Sequence, residues 1–147
     1  MSELIQQLRQ YLPETQVITD ELRLLAYGTD ASFYRLTPQV IAVIESETEL
    51  QAVLKTAKQS NTPVTFRAAG TSLSGQAITD GILALIGEGF ATCEINADAS
   101  QVKVGPGIIG GEVNRRLAPF GKKIGPDPAS INACKIGGIA ANNASGM

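Results

Sequence analysis

The chain has 147 residues, with 12 Lys and Arg against 14 Asp and Glu and a formal net charge of −2, which suits one domain or a large part of one and excludes a general nucleic-acid binder needing a basic face. Hydrophobic content of 44% with 18% charged residues fits a packed core, and 5% aromatics without Trp exclude stacking platforms for bases or sugars. With no histidine, the chain cannot hold a Ser–His–Asp triad, a Cys–His pair, a histidine metal site or a cofactor linked through imidazole.

Leu4, Leu8 and Tyr11 repeat at helical spacing and predict an amphipathic helix over 2–12, stopped by Pro13. A short helix follows over 20–27, with Gly28 as its stop, and 29–35 reads as a polar loop or broken turn. The β-branched run 40–44 predicts a strand buried on both faces. Ser46 and Glu49 form a capping box for a helix whose inner stripe is Leu50, Val53, Leu54 and Ala57. Asn61-Thr62-Pro63 ends that helix and 64–66 begins the next strand, completing a βαβ unit. Further strands are expected over 82–86, 92–95 and 101–104, the last two joined by a turn at 96–99, and a short helix over 112–117.

Residues 105–147 hold nine of the fifteen glycines, and from Ile124 onward only Asp127 and Lys135 are charged. Such a segment is too apolar for a solvated linker and reads as backbone packed closely on protein or ligand. Cys93 and Cys134 form no CxxC, which argues against zinc and iron–sulfur sites, and two buried free thiols are expected. The first residues show no secretory signal, and no apolar run nears the ~20 residues that span a bilayer, so a cytoplasmic location is expected.

Four stretches can carry chemistry. Gly105, Gly107 and Gly110 match G-x-G-x-x-G, the fingerprint of an NAD-type module, but the preceding strand is short, Pro119 breaks the helix, and no acid-bearing strand follows; a Pro-Gly turn is the other reading. The loop 67–77 combines Gly70, Thr71, Ser72, Ser74 and Gly75 with no carboxylate, the composition of a loop whose inward amides and hydroxyls cradle phosphate. Arg67 adds charge there or braces the loop, and a Ser/Gly-rich surface turn is the alternative. In 125–130, Pro126 and Pro128 fix a rigid kink around Asp127, either a stiff connector or a wall beside a ligand. In 136–146, small residues permit close backbone approach and Asn142 and Asn143 offer polar edges, beside the alternative of a packed helix–turn.

In this order the stretches are recognisable. The sequences "YGTDASFYR" at 27–35, "TFRAAGTSLSGQA" at 65–77, "GPDPAS" at 125–130 and "IGGIAANNASGM" at 136–147 resemble the FAD-binding domain of FAD-linked oxidases and dehydrogenases related to p-cresol methylhydroxylase (PCMH) and vanillyl-alcohol oxidase. The likeness is strongest to bacterial D-2-hydroxy-acid dehydrogenases of the D-lactate, glycolate and D-2-hydroxyglutarate types. It implies an α+β fold: a helical segment over 1–36, a βαβ-containing subdomain over 37–86 with the phosphate loop, and the start of a second mixed or antiparallel sheet with helices over 87–147.

The resemblance also implies non-covalent FAD, with Arg67, Ala68, Ala69, Gly70, Thr71, Ser72, Leu73, Ser74 and Gly75 at the diphosphate. Pro126, Asp127, Ala129, Ser130, Gly137, Gly138, Ala141, Asn142, Ser145 and Gly146 would lie along the rest of the cofactor. Two departures stand out. Gly87 and Gly89 make the segment after the phosphate loop richer in glycine than the family pattern, and Met147 comes before the substrate-binding domain with its catalytic histidine. The expected partners are therefore FAD and a missing C-terminal domain, with an iron–sulfur domain or subunit in some relatives, and the full enzyme is expected to be cytoplasmic or peripheral to the membrane. Hydride would pass from a D-2-hydroxy acid to the flavin, with the base outside this chain and no catalytic residue within it. The competing expectation is a truncated, non-catalytic remnant, which exposed strand edges would drive to dimerise.

Overall fold

Val40-Ile41-Ala42-Val43-Ile44, β-branched apart from one alanine, forms β2 (Val40–Ile44), and Ile82-Leu83-Ala84-Leu85-Ile86 forms β4 (Ile82–Ile86). The two run parallel in continuous register, from Val40 opposite Ile82 to Ile44 opposite Ile86. Strands that are apolar at every position have no face to offer water, so they take the middle of the sheet. β1 (Val17–Ile18) pairs antiparallel with β2, and β3 (Val64–Arg67) pairs parallel with β4, giving the order β1-β2-β4-β3. The computed structural model describes residues 2–145. This mixed sheet belongs to the first of two compact units, Met1–Gly87 and Glu88–Met147.

The expected βαβ unit is present as β2, helix α3 (Glu47–Gln59) and β3, but its strands are not neighbours, because β4 inserts between them. The cause is composition. Ile82, Leu83 and Ala84 are fully buried, whereas β3 carries Thr65, Arg67 and an exposed Phe66 and so goes to the edge. Gly81 lets β4 start against Pro63: a Cβ there would lie 2.3 Å from the Pro63 carbonyl oxygen, which accepts the Ile82 amide at 2.9 Å.

Ile18, Ile41 and Leu83 form one buried cluster, and Leu24 and Tyr27 of helix α2 (Glu21–Tyr27) pack against it. Helix α3 (Glu47–Gln59) packs on β2, and α1 (Glu3–Leu8) packs on α3. α1 is shorter than its periodicity predicts. After Leu8 the turn tightens, with Gln10 and Tyr11 donating to carbonyls three residues back, which brings Leu12 into the core and leaves Tyr11 exposed. α2 starts at Glu21 because Asp20 is its cap, accepting the Arg23 amide at 3.0 Å.

In α3, Ser46 Oγ accepts the Glu49 amide at 3.2 Å as expected. The Glu49 carboxylate reaches one residue further back than a capping box requires, to the Glu45 amide at 2.7 Å, and also accepts Gln16 Nε2. The buried stripe is Val53, Thr56 and Ala57, at i, i+3 and i+4. Val53 and Ala57 are buried as expected, whereas Leu54, about 100° around the helix from Val53, is exposed and Thr56 is buried instead.

In the second unit, β5 (Cys93–Ile95) and β6 (Val102–Val104) form an antiparallel hairpin. Ile108, Val113 and Leu117 form its core, and Cys93, Ile95, Val102, Val104 and Ile136 pack around them. Helix α4 (Gly110–Leu117) begins two residues before its predicted start, and α5 (Ile136–Ala141) follows. α4 ends at Leu117, just before Pro119, as expected, and a single 3₁₀ turn over Ala118–Phe120 follows it and ends at left-handed Gly121 (φ 65°). Both cysteines are free, Cys134 buried and Cys93 only half-buried on its hairpin strand, which corrects the expectation of two buried thiols. Among the described residues, no helix is long and apolar enough to cross a membrane and no cluster could hold a metal ion.

Leu83→Ala removes a fully buried side chain from the central strand and is expected to cost about 2–5 kcal/mol in urea denaturation. Leu54→Ala, on the exposed side of α3, is expected to stay within about 0.5 kcal/mol of the unsubstituted protein.

Candidate functional site

β3 ends at Arg67, and the chain runs without regular structure until β4. Arg67 braces the loop it begins. Its Nη1 donates to the carbonyls of Tyr27 (3.2 Å), Thr29 (2.8 Å) and Ala77 (3.2 Å), and its guanidinium carbon lies 5.2 Å from the centre of the Tyr27 ring. Burial lowers the Arg67 guanidinium from its ordinary value, against raising contributions from Tyr27 and Asp30, and an arginine so placed stays charged.

Ala77, at the far end of the loop, is held on both sides. Its carbonyl accepts from Arg67, and its amide donates to Asp30 Oδ2 at 3.3 Å. Asp30 Oδ1 accepts the Ser32 amide at 2.9 Å. Burial pushes the Asp30 carboxyl up, but hydrogen bonds from Ser32 and Ala77 and the charge of Arg67 outweigh it and hold it below its ordinary 3.8.

Between these anchors, Gly70 and Gly75 are left-handed, with φ 70° and 72°. A Cβ at Gly70 would lie 2.3 Å from Arg67 Nη2 and 2.5 Å from its Cζ, and one at Gly75 would lie 3.0 Å from Tyr34 Cδ2. The Gly70 carbonyl accepts the Ala31 amide at 3.2 Å.

The remaining loop amides divide sharply. Those of Ser74 and Gln76 donate to Ser72 Oγ, at 3.1 and 3.2 Å. Among the described residues, the amides of Ala69, Gly70, Thr71, Ser72, Leu73 and Gly75 donate to no protein acceptor. Ala68 to Thr71 are half-buried, and backbone donors in that setting call for a partner. The Ser72 hydroxyl is spent inside the loop, donating to Gln76 Oε1 at 3.3 Å, so the hydroxyls available to a ligand are those of Thr71 and Ser74.

The second unit holds the other expected residues. Pro126 is exposed, Asp127 pairs with Lys123, and Ala129 and Ser130 open a turn in which the Ser130 carbonyl accepts the amides of Ala133 and Cys134. Gly137 approaches protein: its amide donates to the Pro106 carbonyl at 2.9 Å, and a Cβ would lie 2.9 Å from Pro106 Cβ. Gly138 accepts from the amide of Asn142, and Ala141, Asn142 and Ser145 are exposed. Gly146 lies outside the described residues.

Two glycines of the G-x-G-x-x-G match, Gly105 and Gly110, serve packing. A Cβ at Gly105 would sit 2.1 Å from the Phe90 carbonyl oxygen, and one at Gly110 would sit 2.5 Å from Ile131 Cδ1. The described strands of this unit form only an antiparallel hairpin, so the parallel strands of an NAD module are not among them.

Residue-by-residue reading of the sequence missed Asp30, Ala31 and Tyr34 as supports of the loop. Asp30 and Ser32 had a local signal, the D-x-S spacing of an Asx turn, but their long-range contacts had none.

The sequence profile of a family described as an FAD binding domain matches residues 38–147. This chain belongs to that FAD-binding family. It is 30% identical over 143 residues to the glycolate oxidase subunit GlcD of Escherichia coli (strain K12), covering 95% of this chain and 29% of that protein. It is 31% identical over 127 residues to D-2-hydroxyglutarate dehydrogenase of the same strain, covering 84% of this chain and 12% of that protein. Among solved structures, alkyldihydroxyacetonephosphate synthase superposes with a TM-score of 0.82 at 18% identity, over 98% of this chain and 29% of the other. p-Cresol methylhydroxylase with substrate bound gives 0.67 at 17%, over 81% and 24%.

The fold is therefore the PCMH-type FAD-binding fold, the cofactor is FAD, and the chain spans less than a third of these relatives. FAD carries a pyrophosphate between its two halves. The loop suits that group, with amides lacking a protein acceptor, two left-handed glycines, a charged arginine at its stem and no carboxylate of its own.

Gly70→Ala is expected to destabilise the FAD-free chain by about 2 kcal/mol or more. The left-handed backbone accounts for ~1–2, and displacement of the guanidinium accounts for the rest. Gly75→Ala meets only the yielding edge of Tyr34 and is expected to cost about 1–2 kcal/mol, from backbone strain alone; thermal denaturation compares the two.

Because the folded Asp30 carboxyl lies below its unfolded value of 3.8, the stability it contributes is complete above that value and is lost as pH falls through the lower folded one. Asp30→Asn is therefore expected to flatten the acid limb of the stability–pH curve below about pH 4. Asp98 (hydrogen-bonded by Ser100) and Glu112 (hydrogen-bonded by Arg116) are also lowered and titrate alike in both proteins, so the difference between the curves is the readout.

Proposed function

We propose that the loop 67–77 holds the pyrophosphate of non-covalently bound FAD, and that the domain serves a flavin-dependent dehydrogenase or oxidase acting on a D-2-hydroxy acid of the lactate, glycolate or 2-hydroxyglutarate class. The observation that carries the first part is the run of loop amides from Ala69 to Leu73, with Gly75, that have no protein acceptor among the described residues. Each amide given to a charged oxygen contributes about 1.5–3 kcal/mol, so a few of them suffice to hold a pyrophosphate. The substrate class rests on the relatives, named glycolate oxidase subunit and D-2-hydroxyglutarate dehydrogenase, and on the sequence resemblance.

FAD, when bound, supplies a two-electron acceptor for the carbon bearing the hydroxyl. The residues of this chain bind and orient. Thr71 and Ser74 offer hydroxyl donors beside the amides, and Arg67, committed to three carbonyls, contributes its charge from the stem of the loop. The second-unit residues Pro126, Asp127, Ala129, Ser130, Gly137, Gly138, Ala141, Asn142, Ser145 and Gly146 are proposed to contact the remainder of the cofactor. The base that takes the hydroxyl proton is proposed to lie outside these 147 residues, none of which is histidine.

Purified protein is expected to absorb near ~450 nm when flavin is bound. At 100-fold excess over Kd, FAD should raise stability by about 2.7 kcal/mol, while NAD leaves it unchanged. A shift with NAD and none with FAD would sink the proposal.

A further inference from the structure

The motif at 27–35 carried the family resemblance, yet the sequence alone assigned no residue within it a task. Its contacts supply one. Residues 27–34 meet the loop at four places: Arg67 is bound by the Tyr27 and Thr29 carbonyls, the Gly70 carbonyl by the Ala31 amide, and the Ala77 amide by Asp30, while Tyr34 occupies the space a Cβ at Gly75 would need. Every one of these contacts leaves the amides from Ala69 to Leu73 free of protein acceptors.

A nine-residue span with two glycines and three hydroxyl residues has many conformations, and a ligand that must select one of them binds weakly. We propose that residues 27–34 form a strap that presets the loop for pyrophosphate, with Asp30 as the positioning residue. The proposal rests on the reading that this loop takes the pyrophosphate of FAD.

Electrostatics makes the role of Asp30 testable by sign. A carboxylate tied to the stem of an anion-binding loop opposes the anion through its charge. If Asp30 were a bystander, removing it would leave FAD binding unchanged or tighten it. A positioning role predicts the reverse. Asp30 can fill that role because both of its oxygens are committed, Oδ1 to Ser32 within the strap and Oδ2 to Ala77 in the loop, so one side chain fixes the strap's turn and the loop's end together.

The experiment compares the unsubstituted chain, Asp30→Ala and Asp30→Asn by FAD titration, thermal denaturation and amide hydrogen exchange without FAD. Asp30→Ala is expected to weaken FAD binding at least tenfold. It should also speed exchange at Ala31 and Gln76, whose amides report the loop's shape, while Leu83 in β4 stays protected. Asp30→Asn keeps a carbonyl oxygen that can accept one of the two amides, so it should recover part of the affinity despite losing the charge, and it carries the test if the alanine variant does not fold. Affinity equal to or tighter than that of the unsubstituted chain in the folded variants overturns the proposal, as does faster exchange spread equally through β2 and β4. If the unsubstituted chain binds no FAD, the pyrophosphate reading fails, while the exchange comparison, which needs no ligand, still decides whether the strap presets the loop.

Discussion

Arg67 is the fixed point on which the candidate site depends. It is the last residue of β3, so the sheet determines its position, and its Nη1 joins carbonyls at 27, 29 and 77, far apart in sequence. Two protons shared among three carbonyls, in a half-buried place, make charge-assisted bonds stronger than those of a neutral donor. The stem of the loop is thereby closed, and Gly70 is compelled to be glycine, since the guanidinium occupies the space a Cβ would need. A loop closed at its stem can leave its tip amides unpaired, which is what an anion site requires.

The fold places this arrangement at the carboxyl end of a parallel strand. β2 and β4 are buried strands whose register leaves no freedom, and β3 joins them at the edge with its polar residues. Ligands of parallel α/β sheets commonly gather beyond the carboxyl ends of the strands, and the loop after β3 follows that rule. The second unit contributes a hairpin and short helices whose glycines press against Phe90, Pro106 and Ile131. Four of the nine glycines of residues 105–147 (Gly105, Gly110, Gly111 and Gly137) thus answer to protein packing, while Gly121 and Gly125 face open space.

How much was legible varied with the kind of interaction. Strands 40–44 and 82–86 were readable to the residue because a run of β-branched and aliphatic residues has one stable environment. The Ser46 cap was readable because it acts over three residues, but the reach of Glu49 was misjudged by one position because Gln16, distant in sequence, also claims its carboxylate. The inner stripe of α3 was misread at Leu54 because hydrophobicity names candidates for burial without saying which side meets the sheet. The loop 67–77 stood out by composition, whereas Asp30 and Tyr34 did not, since nothing local tells of a contact about 40 residues away.

The amino-acid sequence by itself determined the FAD-binding family, the identity of nearly every element and the location of the glycine- and hydroxyl-rich loop, all of which rest on local pattern and residue type. Tertiary structure alone decided that β4 separates the strands of the βαβ unit, that Arg67 spends Nη1 on carbonyls, and that the segment 27–34 grips the loop. The physical reason is the same in each case. Burial competition among strands and the pairing of polar groups distant in sequence are settled only when the chain is packed, because each depends on which other group arrives at the same place.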